Sequence, residues 1–533
     1  MNPHACTKYA GRLLMALAAI TSILLMAACG SGSSFTPPNQ VGFTNGSLNG
    51  TYVFSSAGSD TNLAPLALAG AFTATGSGGI SGGTMDVVDE EVAPMSPVAQ
   101  AISSSSSYSV GTDGRGQAKL ISPYGTFILD FVLMSSSHGL VTEYDGNGTG
   151  SGTLDLQTAI TSLSQLAGPY AFTLAGADTG SAPFASAGAF TLNAGGTTTT
   201  AGVEDFNDGG VPELQESLSG ATTLGSGTGP EAIVLTTESH VLDFDFYPID
   251  ATHWKLIETD YSNFLSGDAF TQTGASIPTG EMVFTMAGGT QSTGSIANGG
   301  VMNSTDGLGD FSSGLEDIND DGTAVTQVPF SGNLDAGESG PTGGRVFVNL
   351  SGFSPASSWV IYPSSGGLLM LEADSATVTL GTAYAQSATS FTSPGDYGLN
   401  LSGANGGGEV DDIAQFDVTT DVSPAINING ILDENVGGSQ DSGGMSGTYT
   451  PGSPNAFVVT ASNSYIGGLT LAYYVVDSST AIFVDLDPST SGFPQVAIGT
   501  FEAQSTPGNN VVQQARTSMV HPTVRPHTAM RRK

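Results

Sequence analysis

Four pairs of acidic residues recur along the 533-residue chain: Glu143 with Asp145, Glu258 with Asp260, Glu372 with Asp374, and Asp485 with Asp487. On a strand, residues i and i+2 point to the same face about 7 Å apart. Two carboxylates so placed repel each other, which favours a cation or a hydrogen-bond donor between them. The same parity carries Trp254 and Leu256 ahead of Glu258, and Leu368 and Met370 ahead of Glu372. An apolar stripe ending in acids suggests a barrel interior reaching its mouth. Its candidate binding residues are Glu143, Asp145, Trp254, Glu258, Asp260, Glu372, Asp374, Asp485 and Asp487. The plainer alternative is that each Asp starts a tight turn by accepting backbone N–H bonds while the Glu lies in solvent.

A second element, glycine-x-x-aspartate, occurs at Gly83 to Asp86, Gly202 to Asp205, Gly314 to Asp317 and Gly430 to Asp433, with an asparagine two residues on at Asn207, Asn319 and Asn435. The run Asp205-Phe-Asn207-Asp208-Gly209 has the oxygen-rich start of a calcium loop. That makes Asp205, Asn207, Asp208, Asp317, Asn319 and Asp320 candidate ligands for calcium, the one cofactor suggested. The EF-hand spacing and its terminal bidentate Glu are not reproduced, and a turn built on Asx side chains accounts for the same residues.

Catalytic patterns are poorer. Gly79-Ile80-Ser81-Gly82-Gly83 matches a nucleophile elbow in letters, but it lies in a hairpin region with no helix after it to expose the serine. His138, His240 and His253 show no metal-ligand spacing and are read as turn or surface residues at non-equivalent positions. Paired carboxylates suit glycoside hydrolysis, yet all four stretches carry them and only two tryptophans are present, Trp254 and Trp359. No enzymatic activity is expected.

The elements that must position these residues form a repeat. Four stretches close on glycine, four residues and glutamine: Gly152 to Gln157, Gly267 to Gln272, Gly381 to Gln386 and Gly499 to Gln504. Each opens on an alternating strand with a glycine six residues after its first large apolar residue: Tyr52 to Gly58, Tyr170 to Gly176, Met282 to Gly288 and Tyr397 to Gly403. The expected units are 48–157, 166–272, 278–386 and 395–504. Within the first, strands are predicted at Tyr52, Leu66–Thr75, Ile80–Val88, Ser106–Val110, Gln117–Ser122, Thr126–Met134, Gly139–Tyr144 and Thr153–Gln157, joined mostly by short turns. The predicted fold is all-β, a tandem array of four antiparallel meanders closing as eight-stranded, up-and-down, calycin-like barrels, with β-sandwiches as the alternative. Short polar joins make neighbours sit close, like beads with limited freedom.

Upstream, Lys8 and Arg12 followed by the apolar run Leu13 to Met26 predict an export signal over 1–28. The run Leu25-Met26-Ala27-Ala28-Cys29-Gly30 resembles the lipobox of bacterial lipoproteins, which implies lipidation at Cys29. The resemblance, with Gly30 after the cysteine, further implies an outer-membrane anchor facing the periplasm or the outside. Residues 29–47 then read as a flexible tether, and 505–533 as a disordered basic tail. Between signal and tail stand four cations, Arg115, Lys119, Lys255 and Arg345, against 48 acidic residues, an excess of 44 negative charges. Such a body repels phosphate backbones, so nucleic acid is excluded as a partner.

The unit signature runs Gly-x-Tyr-x-Phe, then Gly-Ala-Phe (Gly70 to Phe72, Gly188 to Phe190), Gly-x-x-Asp-x-Asn, Asp-Gly-Arg-Gly (Asp113 to Gly116), Glu-x-Asp and Gly-Thr-x-x-x-Gln. It resembles a repeated domain of acidobacterial surface lipoproteins. The third and fourth units lack the Gly-Ala-Phe. The resemblance implies an envelope location and a multi-unit architecture, and no reaction. The expected function is a lipid-anchored, non-enzymatic envelope scaffold, a rigid arm for structure, adhesion or binding, touching envelope or extracellular proteins or polysaccharide. The alternatives are small-ligand or calcium-binding barrel modules and, behind them, a secreted hydrolase.

Overall fold

The computed structural model describes residues 41–90, 99–198, 202–224, 231–260, 262–290, 294–340, 343–353, 357–390, 395–405, 408–419, 426–449, 469–487 and 495–505. The signal segment, Cys29, most of the tether and the tail from 506 lie outside them. Apart from two 3-10 turns, Asn45–Ser47 and Leu163–Leu166, the regular structure among the described residues is strand.

Four antiparallel meanders follow one another. In each, the first strand pairs with the second and also with the last: Asn49–Asp60 with Gly148–Leu156, Gly168–Asp178 with Asn263–Thr271, Gly280–Thr290 with Thr377–Ala385, and Gly395–Asn405 with Val496–Ala503. First-to-last pairing is what curls a meander into a barrel instead of splitting it into two sheets. The second and third units are closed barrels of eight strands. The first is a nine-stranded sheet whose order breaks between its fourth and fifth strands. A bridge from Gly79 to Ser107 and the bond from Tyr108 N–H to the Gly78 carbonyl (2.9 Å) span one end of that break. Its extra strand, Gln100–Ile102, lies in what reads as a loop in the sequence, and its last strand starts at Gly148, well before the expected Thr153. The fourth unit shows seven strands, and its break flanks residues 450–468, outside the described residues.

The alternation predicted for the opening strands places the large residues inward. Tyr52 and Phe54, Tyr170 and Phe172, Met282 and Phe284, and Tyr397 and Leu399 each sit in their own unit's core at no more than 2 % exposure. The small residues on the opposite face are buried too, against the next unit. Ala67, Ala69 and Ala71 meet Tyr247 and Ile257 of the second unit, and Ala185, Ala187 and Ala189 meet Val360, Leu369 and Leu371 of the third. Val283, Ala287 and Ala297 meet Ala472, Ile482 and Val484 of the fourth. Alanine on an outward face lets two barrel walls come together with few voids.

The fourth unit applies the same face to the first: Ile413 packs with Val132, Met134 and Leu140. The array therefore closes on itself. Four copies of one head-to-tail contact form a ring because the rotation between neighbours returns to the start after four steps. The close seating of neighbours agrees with the expected beads of limited freedom, while closure into a ring corrects the expectation of an arm.

Candidate functional site

The two glycines that mark each unit lie where its first and last strands press together. A Cβ on Gly152, Gly267 or Gly381 would fall inside the carbonyl oxygen of Ser55, Thr173 or Thr285, and one on Gly499 inside the Phe483 ring. Gly58, Gly176, Gly288 and Gly403 face the carbonyls of Thr149, Phe264, Val378 and Val496 in the same way. Only glycine permits that approach.

The glutamine closing each unit joins two units. Its backbone N–H donates to its own first-strand region, from Gln157 to Thr51, Gln272 to Pro169, Gln386 to Glu281 and Gln504 to Asp396, at 2.8–2.9 Å. Its side-chain amide donates to the next unit: Gln157 to the Pro248 carbonyl (2.8 Å), Gln272 to Gly343, and Gln386 to Val475 (2.7 Å). Gln504 completes the ring by donating to the Asp113 (2.9 Å) and Leu133 (2.8 Å) carbonyls of the first unit.

The two acidic elements meet across the same seams. Asn207 donates to the carbonyls of Asp374 (2.8 Å) and Thr377 (2.9 Å), Asn319 to those of Asp485 (2.7 Å) and Gln495 (2.8 Å), and Asn435 to those of Glu143 (2.7 Å) and Gly148 (2.8 Å). Each Gly-x-x-Asp-x-Asn element thus docks on the Glu-x-Asp turn of the following unit. In the first unit Val88 stands where the asparagine would be, and that seam lacks this bond. The aspartates dock as well. Asp205 takes a bidentate ion pair from Arg345 (2.7 and 2.8 Å), a bond from the Gln215 N–H (2.9 Å) and one from the Tyr362 hydroxyl. Asp317 accepts Tyr474 O–H (2.5 Å) and Gln327 N–H (2.8 Å), and Asp86 accepts Tyr247 O–H (2.5 Å).

These bonds remove the calcium reading of Asp205 and Asp317, because N–H and O–H donors already occupy their oxygens, as a cation would need to. The Nδ2 groups of Asn207 and Asn319 go to carbonyls across the seam while their buried Oδ1 atoms have no bonding partner among the described residues, and Asp208 and Asp320 sit at hairpin ends opposite Val211 and Thr323. Among the described residues no group of three or more His, Cys, Asp or Glu could hold a metal ion.

The Glu-x-Asp pairs do not share a strand face, since the strands end at Glu143, Glu258, Glu372 and Asp485 and the second acid lies in the turn. There Asp145 accepts Ile128 and Asn147 N–H, Asp260 accepts Asp243 and Ser262 N–H, and Asp374 accepts Ala376 N–H, all at 2.8–2.9 Å. Asp485 takes the Asp487 N–H (2.8 Å). The first acids are not solvated: Glu143 and Glu258 are 1 % exposed and Asp485 is fully buried. Burial drives the carboxyls of all three well above the usual range. Glu372, bonded to Ser357 and Thr379 hydroxyls, is raised to about 7, first by burial and then by Asp374. Trp254 and Leu256 are packed into the second unit's core. Trp254 is fully buried, 4.0 Å from the Tyr170 ring and 4.8 Å from Phe246, so the second barrel is filled where a ligand would enter. Ser81 is exposed on a strand, its hydroxyl on the Thr73 carbonyl (3.4 Å).

At the centre of the ring lies a cavity of about 70 Å³ walled by all four units, including His138, Gly152, Thr153, Thr173, Thr285, Thr382, Asn400, Gly499, Thr500 and Glu502. A chain of charges runs beside it. His138 Nδ1 lies 2.6 Å from Asp155 and its Nε2 lies 3.3 Å from Glu502 of the fourth unit. His253 and Lys255 of the second unit both reach Asp268, at 2.7 and 2.8 Å. Burial opposes charge on His138, but Asp155 and Glu502 outweigh it and hold the imidazolium up to about 10. Asp155 falls to about 2 because His138, Lys255 and His253 overcome its burial.

The histidines were misjudged from sequence. His138 precedes Gly152 by 14 residues and His253 precedes Gly267 by 14, so they are equivalent, each opening the strand beside its unit's last. The equal offset from the marker glycine was the available signal. His240 stands apart, 3.3 Å from Glu204 and edge-on to Phe206.

His138→Gln should destabilise the chain by about 1.5–3 kcal/mol at pH 6, the range for hydrogen bonds to charged groups. A raised histidine contributes fully below its ordinary value near 6.5 and loses that contribution as pH climbs through about 10. Denaturant unfolding of both chains should therefore show a gap that narrows at strongly alkaline pH.

No family model matches the chain, and no curated protein is similar to it. Among solved structures, a mutant of the vaccine antigen Transferrin Binding Protein B (TbpB) from Haemophilus parasuis Hp5 shows 10% identity over 88% of this chain and 77% of that one, with a TM-score of 0.17. A likeness at that score carries no argument about this chain's function.

Proposed function

We propose that the protein is a lipid-anchored scaffold of the bacterial cell envelope, exported, held at the outer membrane through Cys29, and non-enzymatic. The observation that carries the scaffold reading is the use made of the repeated polar residues. Asparagine, glutamine and aspartate recur unit after unit, and they are consumed in joining one unit to the next. Repetition here builds a rigid ring, whose outer rim is free for structural, adhesive or binding contact with envelope proteins or polysaccharide. The strong negative charge suits a body that stays soluble beyond the membrane.

Anchoring is tested by fractionating cells that express the parent chain or Cys29→Ser. The parent should sediment with membranes and the variant should be released to the soluble fraction, whereas equal sedimentation of both would contradict the anchor. Turnover of model glycosides or esters by the full chain would overturn the non-enzymatic part.

A further inference from the structure

Three of the four seams are bridged by the chain itself, through 158–162, 273–277 and 387–390. The fourth, between the fourth and first units, has no such linker, and among the described residues it is joined by side-chain and backbone bonds. It is also built differently. Tyr247, Tyr362 and Tyr474 occupy one equivalent position, opposite Lys255, Leu369 and Ile482, and donate to the aspartate of the preceding unit. In the first unit that position is Val132, opposite Leu140. Asp433 accordingly has no tyrosine and faces Arg115 at 3.6 Å, longer than the Asp205–Arg345 pair.

This seam also buries carboxyls with little to balance them. Asp411 is fully buried; one oxygen accepts Thr149 of the first unit (2.8 Å), and the hydroxyls of Ser151 and Ser402 also bond the carboxyl, with no cation beside it among the described residues. Glu409 and the fully buried Asp412 flank it on its own strand, and Glu143 faces it from the first unit. Asp130, bonded to Gln117 (2.8 Å), lies near Asp433, with Arg115 as the cation between the units. Asp113 borders Asp433 on the same side. Glu434 and Asp441 of the fourth unit stand around Tyr144, whose hydroxyl donates to the Asp441 carbonyl (2.7 Å). His138 and Glu502 form the other ion pair across the seam.

We infer that the ring has one door, the seam between its fourth and first units, and that rising pH opens it by ionising the carboxyls buried there. Burial raises Asp411 to about 8 and Asp130 to about 7, and it raises Asp433 in the same direction. The closed seam therefore holds protons that an open one would release. Closure is complete below the ordinary carboxylate value near 4 and weakens as pH climbs through about 7 to 8. Loss of the His138 proton through about 10 acts the same way. The other seams bury raised carboxyls too, Asp86 with Asp245 between the first two units, Glu372 between the second and third and Asp485 between the third and fourth, but there a tyrosine bonds the facing aspartate and the chain linker retains the pair. Opening the door would uncover Val132, Met134, Leu140 and Ile413 and the threonine-walled central cavity.

The test places spin labels in the full chain with Cys6→Ser and Cys29→Ser. One pair, Lys119→Cys with Gln440→Cys, spans the door, and another, Ser217→Cys with Asn333→Cys, spans the seam between the second and third units; all four sites are exposed. Between about pH 5 and pH 9 the first distance should lengthen with a midpoint near 7 to 8 while the second stays fixed and the far-ultraviolet circular dichroism is unchanged. Asp411→Asn with Asp130→Asn should make the transition shallower by up to about two protons. An unchanged first distance, or both distances lengthening together, would overturn the inference. The parent's two label pairs decide this even where the double variant fails to fold.

Discussion

Arg345→Met should cost the ring about 3–5 kcal/mol, because it strips the cation from Asp205 while leaving that carboxylate sealed between two barrels. Both side chains are at most 1 % exposed, so water cannot take over the lost bonds. The Tyr362 hydroxyl and Gln215 N–H remain, and neither carries charge. Replacing both members, Arg345→Met with Asp205→Leu, should recover much of the loss, since a buried pair exchanged for packed apolar residues is often neutral. Guanidinium denaturation of the two single variants and the double variant, with the coupling energy taken from the cycle, checks this. Near-zero coupling would mean that the seam between the second and third units does not depend on the pair.

Asn435→Ala should have an effect of similar size at the opposite seam. Its amide serves two buried carbonyls at once, Glu143 and Gly148, and the substitution removes that donor from both. At about 1–3 kcal/mol for each carbonyl affected, the expected cost is about 2–6 kcal/mol. It should appear as weaker association of the first and fourth units, not as melting of either barrel. Two transitions in calorimetry, the first at lower temperature than in the parent, would be its mark. A single transition with an unchanged midpoint would contradict the assignment.

The strands, their parity and the four-unit repeat were legible because they are local. Tyr52 and Phe54 alternate with small residues within a few positions, and each barrel needs only its own strands to bury them. The seams were not legible. Asp205 finds Arg345 140 residues later and Asn435 finds Glu143 292 residues earlier, and no periodicity within a unit points across such distances. The glycine markers read as turn punctuation, yet they stand where strands cross too closely for a side chain. The acidic elements suggested cation sites because two carboxylates near each other look unbalanced in one unit. Their partners, a tyrosine, an arginine and backbone donors, come from the next one or from the strand beside it. A useful signal was the closing glutamine, a polar residue repeated four times where nothing inside the unit requires it.

The same arrangement shows why so acidic a chain can bury so many acids. Arg345 and Lys255, two of the four cations between signal and tail, are spent at the second–third seam and at the ring centre. Elsewhere hydroxyls, amides and backbone N–H groups donate to the acids, which favours the ionised forms, but burial without a cation pushes the other way and wins.

Closure of the ring is tested most directly by solution X-ray scattering of the full chain at about pH 6. A compact body of some 460 residues has a radius of gyration near 23 Å. A value close to that, raised only modestly by the two terminal segments, is what a closed ring predicts. A radius well beyond it, with the long maximum dimension of four barrels strung end to end, would contradict closure.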